Sequence, residues 1–121
     1  MTITQPSALD LTGLARAIEA RDTDTIVRWY ANEAVLTVLD RDHPPSSPLT
    51  MRGVAEIDAY YRDICGRNVQ HHVSGAVSDG AVLAFQQDCR YPEGSRVVCV
   101  TVAHLADGHI IDQTVVQTWD D

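Results

Sequence analysis

The sequence has few basic residues and no long apolar run. Nine Lys and Arg stand against 17 Asp and Glu, which gives a net charge of -8, and this field repels a phosphate backbone or an anionic membrane surface. We therefore expect no nucleic-acid and no membrane partner. No apolar run approaches the roughly 18 to 20 residues that cross a bilayer. The opening MTITQPSALD has neither the basic nor the apolar region of a secretion signal, so the expected location is the cytoplasm.

Cysteine is scarce and lacks the spacing of a metal site. The chain has three cysteines, Cys65, Cys89 and Cys99, with no CxxC pair and no Cys/His ligand spacing. An odd number in this pattern indicates neither a disulfide framework nor a zinc site. We interpret all three as buried thiols. A Gly-rich phosphate loop and a nucleophile elbow are also missing, so we expect no metal and no cofactor.

The composition is that of one folded domain. The chain has 121 residues, of which 45% are hydrophobic and 21% charged. This is too apolar for a disordered chain, and the length leaves room for a single hydrophobic core. We therefore treat residues 1–121 as one domain, with residues 1–8 as a loose lead-in.

Helical spacing of apolar residues dominates the first half. A first helix, capped by Asp10 or Thr12, is predicted to end near Arg21. A second carries an aromatic stripe that includes Trp29 and Tyr30. A third extends from about residue 53 to residue 65, where a glycine follows that can end it. Three amphipathic helices are thus expected.

Strand signals dominate the second half. The segment AVLTVLD, residues 34–40, predicts a first strand, and the Pro-rich residues 41–48 predict a surface loop. Four further strands are predicted over residues 69–78, 81–91, 96–106 and 109–119. Short turn sequences such as Asp-Gly separate them, which is typical of antiparallel hairpins. Helices followed by a meander predict an α+β fold.

Three segments carry a family resemblance. DTDTIVRWYANEAVLTV, RGVAEIDAYYRDI and DGHIIDQTVVQTWD together resemble the nuclear transport factor 2-like superfamily, and within it the SnoaL-like domains. The resemblance implies a cone-shaped, curved antiparallel or mixed sheet, with three N-terminal helices enclosing a pocket for a small molecule. It also implies a homodimer through the outer sheet face, where Val98, Val100 and Val102 would form an apolar stripe.

The catalytic residues of two related enzyme groups are not matched. The ketosteroid isomerase pattern has a tyrosine and two aspartates where this chain has Leu14, Val38 and Thr101. The epoxide hydrolase pattern has an aspartate where this chain has Val115. Neither reaction is therefore expected. Two supporting tyrosines of the isomerases are matched by Tyr30 on the second predicted helix and Tyr61 on the third.

Strand parity sorts the candidate ligand contacts. Side chains alternate between faces, so Gln113 and Gln117 share one face of the last strand, which the resemblance turns toward the pocket. Their amides then bind a polar group of the ligand; alternatively they are solvated on an outer face. Trp29 either contacts the ligand or fills the core. The expected substrate-binding set is Trp29, Tyr30, Tyr61, Thr101, Gln113 and Gln117.

Three ionisable residues are candidates for acid–base catalysis. By parity His71 points inward and His72 outward, so His71 is either a general acid–base or a core histidine. Asp40 is either a displaced base or an Asp that begins a turn. Asp88 with Arg90 forms either a pocket pair or a solvent-facing ion pair.

Two classes of function fit these residues. The first is a cofactor-free isomerase, cyclase or hydrolase acting on a small, mostly apolar molecule by general acid–base catalysis. The second is a ligand-binding or accessory protein that uses the same pocket without turnover. A raised pKa on an inward carboxylate favours catalysis.

Overall fold

The structure is a computed structural model that describes residues 9–120. The predicted lead-in, residues 1–8, lies outside the described residues. The fold is α+β, with three helices and one open, curved sheet of six strands. The helices are α1 (Leu11–Glu19), α2 (Thr23–Val27) and α3 (Val54–Cys65). The strands are β1 (Tyr30–Leu39), β2 (Leu49–Arg52), β3 (Gln70–Ser78), β4 (Val82–Arg90), β5 (Arg96–Ala106) and β6 (His109–Asp120).

The first helix begins at the predicted cap and ends earlier than expected. The Asp10 carboxylate accepts a hydrogen bond from the Gly13 N–H at 3.0 Å, which satisfies a free donor of the first turn. The helix ends at Glu19 and not near Arg21, because Arg21 has a left-handed φ of 56°. Its buried face is Leu14, Ala17 and Ile18.

The second helix is shorter than its aromatic spacing predicts. Asp22 is the N-cap of this helix, and the helix ends at Val27. Tyr30 is therefore the first residue of β1 and not part of a helix. The reason is pairing with β6: the Ile110 N–H donates to the Trp29 carbonyl at 2.7 Å, and Tyr30 pairs with Ile110. Tertiary hydrogen bonds here override a local helical pattern.

The Pro-rich loop leads into a strand that the sequence did not indicate. Residues 41–48 form turns, and the four-residue β2 that follows pairs antiparallel with β1. So short a segment has too few residues for a strand pattern to be recognised. The third helix was correctly placed. Gly66 ends it in a right-handed conformation with φ -75°. Glycine suits this position because the Cβ of any other residue would lie 3.0 Å from the Arg62 carbonyl oxygen.

The sheet is mixed, with the strand order β2-β1-β6-β5-β4-β3. Strands β3 to β6 form the predicted antiparallel meander. Strand β1 lies between β2 and β6 and runs parallel to β6. The N-terminal strand is thereby joined to the C-terminal one, and both project alternate side chains toward the helices.

A bulge in β3 changes the register of the first hairpin. Ser78 lies opposite Leu83, but beyond the bulge between Ser74 and Val77 the pairing moves by one residue. Gly75 makes this possible, because it adopts a left-handed φ of 62°, which costs glycine little. The shift places His71 opposite Cys89. It also turns Val77 out to solvent, where it is 63% exposed, although simple alternation would put it on the same face as His71.

All three helices lie on one face of the sheet and bury its inner side chains. Helix α3 contacts β1 and β2, and α1 contacts β3. Ile57 of α3 and Leu36 of β1 are fully buried, as is Leu83 of β4. On the outer face Val100 and Val102 remain 47% and 44% exposed. The hydrophobic core therefore lies between the helices and the concave side of the sheet.

Within residues 9–120 there is no helix of the length and apolar character that crossing a membrane requires.

Candidate functional site

A cavity of about 340 Å³ lies between α3 and the inner face of the sheet. Its apolar walls include Ile18 and Ile26 from the first two helices, Ile64 from α3, and Val97 and Val115 from the sheet. The polar and charged residues of the lining are Asp40, Tyr60, Tyr61, Asp63, Arg67, His71, Gln87, Tyr91 and Gln117. A concave, mostly apolar space with a few polar groups is the usual form of a small-molecule site.

The charged side of the cavity marks its mouth. Asp63 and Arg67 of the lining form a salt bridge of 2.5 Å, and their side chains are 66% and 45% exposed. The Arg67 guanidinium also donates to the Tyr91 hydroxyl at 3.1 Å. Because these groups remain in water, the cavity opens to solvent beside them, and its apolar end lies deeper.

A chain of hydrogen bonds extends inward from the cavity wall. Tyr61 lines the cavity, and its hydroxyl lies 2.7 Å from the Tyr30 hydroxyl. Tyr30 donates to the Oε1 atom of Gln113, whose amide nitrogen donates to Thr101 at 3.4 Å. Tyr30, Thr101 and Gln113 are each at most 5% exposed. Of the predicted substrate-binding residues in this chain, only Tyr61 reaches the cavity surface, and the others support it from behind.

The direction of this chain decides what Tyr61 offers a ligand. When Tyr30 donates to the Gln113 oxygen, Tyr61 donates its own proton to the Tyr30 hydroxyl. The Tyr61 oxygen can then only accept a hydrogen bond from a ligand. Rotating the amide by half a turn reverses the chain and makes Tyr61 a donor. Burial raises the pKa of Tyr61 to about 12 and that of Tyr30 well above its usual value. Both phenols are therefore neutral hydrogen-bonding groups and not bases.

Asp40 lines the cavity but is held by its own turn. Its carboxylate accepts hydrogen bonds of 2.9 Å from the His43 Nδ1 and from the Asp42 N–H. Partial burial acts to raise the pKa of Asp40, but these hydrogen bonds outweigh it and the net pKa is lowered. A carboxylate that is already stabilised as an anion is a weak base. The geometry matches the turn interpretation of Asp40.

Asp88 lies on the outer face of β4, away from the cavity, which corrects its placement as a pocket acid. Its carboxylate forms a two-pronged ion pair with Arg96 of β5, at 2.6 and 3.1 Å, and a longer contact of 3.6 Å with Arg90. The hydrogen bond from Arg96 lowers the pKa of Asp88. The reason is parity, since Phe85 and Cys89 take the inward positions of this strand and Asp88 falls between them.

Of the three predicted acid–base residues, His71 has the position best suited to chemistry. It lines the cavity, and its Nδ1 atom lies 3.1 Å from the Cys89 sulfur. Its Nε2 atom is buried and has no hydrogen-bond partner within the described chain. Neighbouring His72 points outward, as predicted, with its side chain 75% exposed.

Two thiols of the cavity wall, those of Cys89 and Cys99, differ in pKa. Both line the cavity and are 6% exposed, whereas Cys65 is only half-buried. Hydrogen bonding from Cys99 is the largest influence on Cys89; burial opposes it and His71 adds to it, so that the pKa of Cys89 falls to about 5. The same contact and burial raise the pKa of Cys99.

The two remaining residues predicted to contact a ligand, Gln117 and Trp29, differ in their position relative to the cavity. Gln117 lines the cavity, and its side-chain oxygen accepts from the Trp119 ring nitrogen at 3.1 Å. Trp29 is not among the lining residues and packs against the core. Its ring nitrogen is buried without a hydrogen-bond partner among the residues that the structure describes. The packing interpretation therefore fits Trp29 better than ligand contact.

Over the described part of the chain, no three His, Cys, Asp or Glu residues converge in a way that could hold a metal ion.

Solved structures with the same fold have low sequence identity to this chain. A protein of Kribbella flavida, provisionally named a ketosteroid isomerase, has a TM-score of 0.73 at 15% identity, over 91% of this chain and 74% of its own. An NTF2-like protein of unknown function from Burkholderia xenovorans has a TM-score of 0.74 at 19% identity, over 92% and 80%.

A third similar structure is SalBIII, described as an epoxide hydrolase/cyclase-like enzyme in pyran ring formation of the polyether salinomycin. Its TM-score is 0.67 at 20% identity, over 88% of this chain and 86% of its own. At these identities the likeness concerns the fold alone. No curated protein sequence matches the chain. The SnoaL-like domain model matches residues 11–113, which is most of the chain, and the protein therefore belongs to the SnoaL-like family.

Proposed function

We propose that this protein binds a small, mostly apolar molecule in the cavity between α3 and the sheet. The observation that carries the proposal is the cavity itself, whose volume of about 340 Å³ and apolar walls suit a compact ligand. The domain comprises the whole of residues 1–121 in this proposal, and the expected setting is the cytoplasm. No cofactor is needed for binding of this kind.

The polar groups define where the ligand carries its oxygen. Tyr61 is the deep hydrogen-bonding group, and either setting of the Gln113 amide leaves it one bond to offer, as acceptor to a hydroxyl or as donor to a carbonyl. Gln117 and His71 lie at other points of the wall. The ligand therefore carries a single hydroxyl or carbonyl toward Tyr61 and an apolar body toward Val115.

Catalysis by acid–base exchange depends on His71 in this proposal. Asp40 has a lowered pKa and Asp88 faces away from the cavity, so neither carboxylate is suited to take a proton from the ligand. An isomerase, cyclase or hydrolase reaction then uses His71 as its one imidazole. Binding without turnover is the alternative. It is favoured because the Asp40 carboxylate is bound within its own turn and so does not act as the displaced base.

A pair of adjacent valines tests the cavity. Val115 lines it and is 7% exposed, whereas Val116 points to the outer face and is 45% exposed. We expect Val115→Phe to fill the cavity and to lower ligand occupancy roughly tenfold, a loss of about 1.4 kcal/mol. Val116→Phe, which adds the same ring outside, should leave occupancy unchanged.

The measurement is native mass spectrometry of protein purified from its own source, which detects a small molecule that remains bound. The mass of that molecule identifies its chemical class. Equal occupancy in the Val115→Phe and Val116→Phe proteins, or a clean wild-type protein throughout, contradicts the proposal. Thermal melting of both variants verifies that they fold.

We also propose that the outer sheet face joins two copies of the chain. Val100 and Val102 are 47% and 44% exposed along β5 on this face, and burying such apolar area favours association. We expect light scattering at micromolar concentration to give twice the monomer mass, and Val100→Glu to return it to a monomer. A monomeric wild-type protein rejects this arrangement.

A further inference from the structure

We propose that Cys89 and His71 form a nucleophile and acid–base pair that adds reversibly to a small α,β-unsaturated carbonyl compound held in the cavity. The inference rests on the proposed function, since the same cavity holds the compound. It adds a substrate class and a reaction that the acid–base residues expected from the sequence do not supply.

Position and contact carry the proposal. Cys89 and His71 are directly opposite each other on β4 and β3, and the sulfur lies 3.1 Å from Nδ1. Both line the cavity, and the buried Nε2 atom of His71 has no partner along residues 9–120. A thiol beside an imidazole is the arrangement by which proteins activate a sulfur nucleophile.

The charges around the sulfur support an anion. Cys99 on β5 and His71 on β3 both lower the pKa of Cys89, while burial and the more distant Asp88 act in the opposite direction. The other ionisable groups of the lining come from α3 and its C-terminal side, and they are Tyr60, Tyr61, Asp63, Cys65 and Arg67, with Asp40 and Tyr91 from the loops. Among the described residues, neither carboxylate of this set forms a hydrogen bond with Cys89.

The surrounding backbone favours addition to an alkene over acyl transfer. Cys89 lies in an interior strand, with β3 paired on one side and β5 on the other. The backbone N–H groups near Cys89 form the hydrogen bonds of the sheet. Two free N–H groups that could stabilise a tetrahedral oxyanion are therefore not available there. In conjugate addition the negative charge moves instead to a carbonyl oxygen that is several bonds away from the sulfur.

The step balances with the groups present. His71 takes the proton of the Cys89 thiol, and the resulting thiolate forms a bond to the β-carbon. The π electrons of the C=C bond move to give an enolate, and His71 delivers the proton to the α-carbon. The product is a saturated thioether and a neutral imidazole. The reverse step takes the α-proton back to His71 and breaks the C–S bond. Rotation about the saturated bond between the two steps exchanges the cis and trans alkene, with no reagent consumed.

Acrylamide, a small α,β-unsaturated amide, is the probe. Trypsin cuts after arginine and places the three cysteines on separate peptides, residues 63–67, 68–90 and 97–121, so each rate is measured by mass spectrometry in one digest. At about pH 6 we expect Cys89 in the folded protein to react roughly tenfold faster than Cys89 in the urea-unfolded chain, since a lowered pKa raises the thiolate fraction more than it lowers nucleophilicity. Cys99 should remain unmodified.

Adjacent histidines supply the matched variants. His71→Gln should lower the Cys89 rate several-fold and move its pH profile upward, while the contact with Cys99 keeps the rate above that of the unfolded chain. His72→Gln alters an exposed ring on the opposite face of the same strand and should change neither. If His71→Gln fails to fold, the comparison of folded with unfolded wild-type protein still decides the matter.

A second measurement follows the reaction itself. Dimethyl maleate incubated with the protein should convert to dimethyl fumarate, and Cys89→Ser should abolish the conversion. Equal acrylamide rates in the folded and unfolded chain, or a His71→Gln rate equal to that of His72→Gln, overturns the proposal. These rates need no bound natural ligand. If Val115→Phe does not lower ligand occupancy but Cys89 still reacts quickly with acrylamide, the ligand proposal is rejected and the proposed reactive pair stands.

Discussion

Replacing Ile57 by alanine should lower the free energy of unfolding by about 3 kcal/mol, the usual cost of deleting a fully buried branched side chain. Ile57 is 0% exposed and is the one buried residue of α3. It lies one turn before Tyr61 on the same helix face. The loss should therefore loosen the wall that carries the hydroxyl of Tyr61. Urea denaturation followed by far-UV circular dichroism measures the free energy.

Two controls separate burial from side-chain chemistry. Ile57→Val removes a single methylene and should cost about 1 kcal/mol. Ile111→Ala makes the same change as the main variant at a position on β6 that is 41% exposed, and should cost under about 1 kcal/mol. If Ile57→Ala costs no more than Ile111→Ala, then α3 is not held to the sheet by this residue.

The fold was predictable because its local signals agree with its tertiary structure. Short turn sequences fixed the boundaries of β3 to β6, and the periodicity of residues 54–65 placed α3. The second helix shows where this agreement ends. Trp29 and Tyr30 have helical spacing, yet Tyr30 belongs to β1, because pairing with Ile110 in β6 takes place 80 residues away along the chain. No local pattern contains that contact.

The candidate site was predictable in its faces and not in its contacts. Alternation correctly placed His71 and Gln113 inward. It could not show that His71 meets Cys89, because an unbroken hairpin with Ser78 opposite Leu83 would put His71 opposite Arg90. The one-residue bulge at Gly75 supplies the correct partner. A glycine inside a predicted strand was the available signal, since it often marks a bulge.

The chemistry that we propose for the cavity depends on the same register shift. A carboxylate base was expected at Asp40 or Asp88, yet one is held by a turn and the other by Arg96 on the outer face. The register shift instead brings an imidazole against a thiol inside an apolar wall. A fold shared by many reactions acquires its chemistry from side chains at a few positions, and in our proposal those positions are Cys89 on β4 and His71 on β3.

Replacing Tyr30 by phenylalanine should lower the free energy of unfolding by about 2 kcal/mol. The hydroxyl is buried and bonds to both Tyr61 and Gln113. Its removal leaves the Gln113 oxygen without its donor in a site that water does not reach, and this desolvation cost exceeds the value of one hydrogen bond. Tyr91→Phe is the matched control, because its hydroxyl bonds to the exposed Arg67, where water replaces the lost contact.

A double variant shows whether the cost comes from the stranded amide. Gln113→Leu in the Tyr30→Phe background removes the unpaired acceptor along with its partner, and an apolar pair of similar shape restores part of the stability. The recovered free energy measures the coupling between the two side chains. If Tyr30→Phe costs as little as Tyr91→Phe, or if Gln113→Leu adds its full single-variant cost, the chain of hydrogen bonds does not hold Tyr61 in place. Urea denaturation of the four proteins of the cycle decides between these outcomes. The Tyr61 hydroxyl can present a fixed group to a ligand only if the buried residues behind it are coupled in this way.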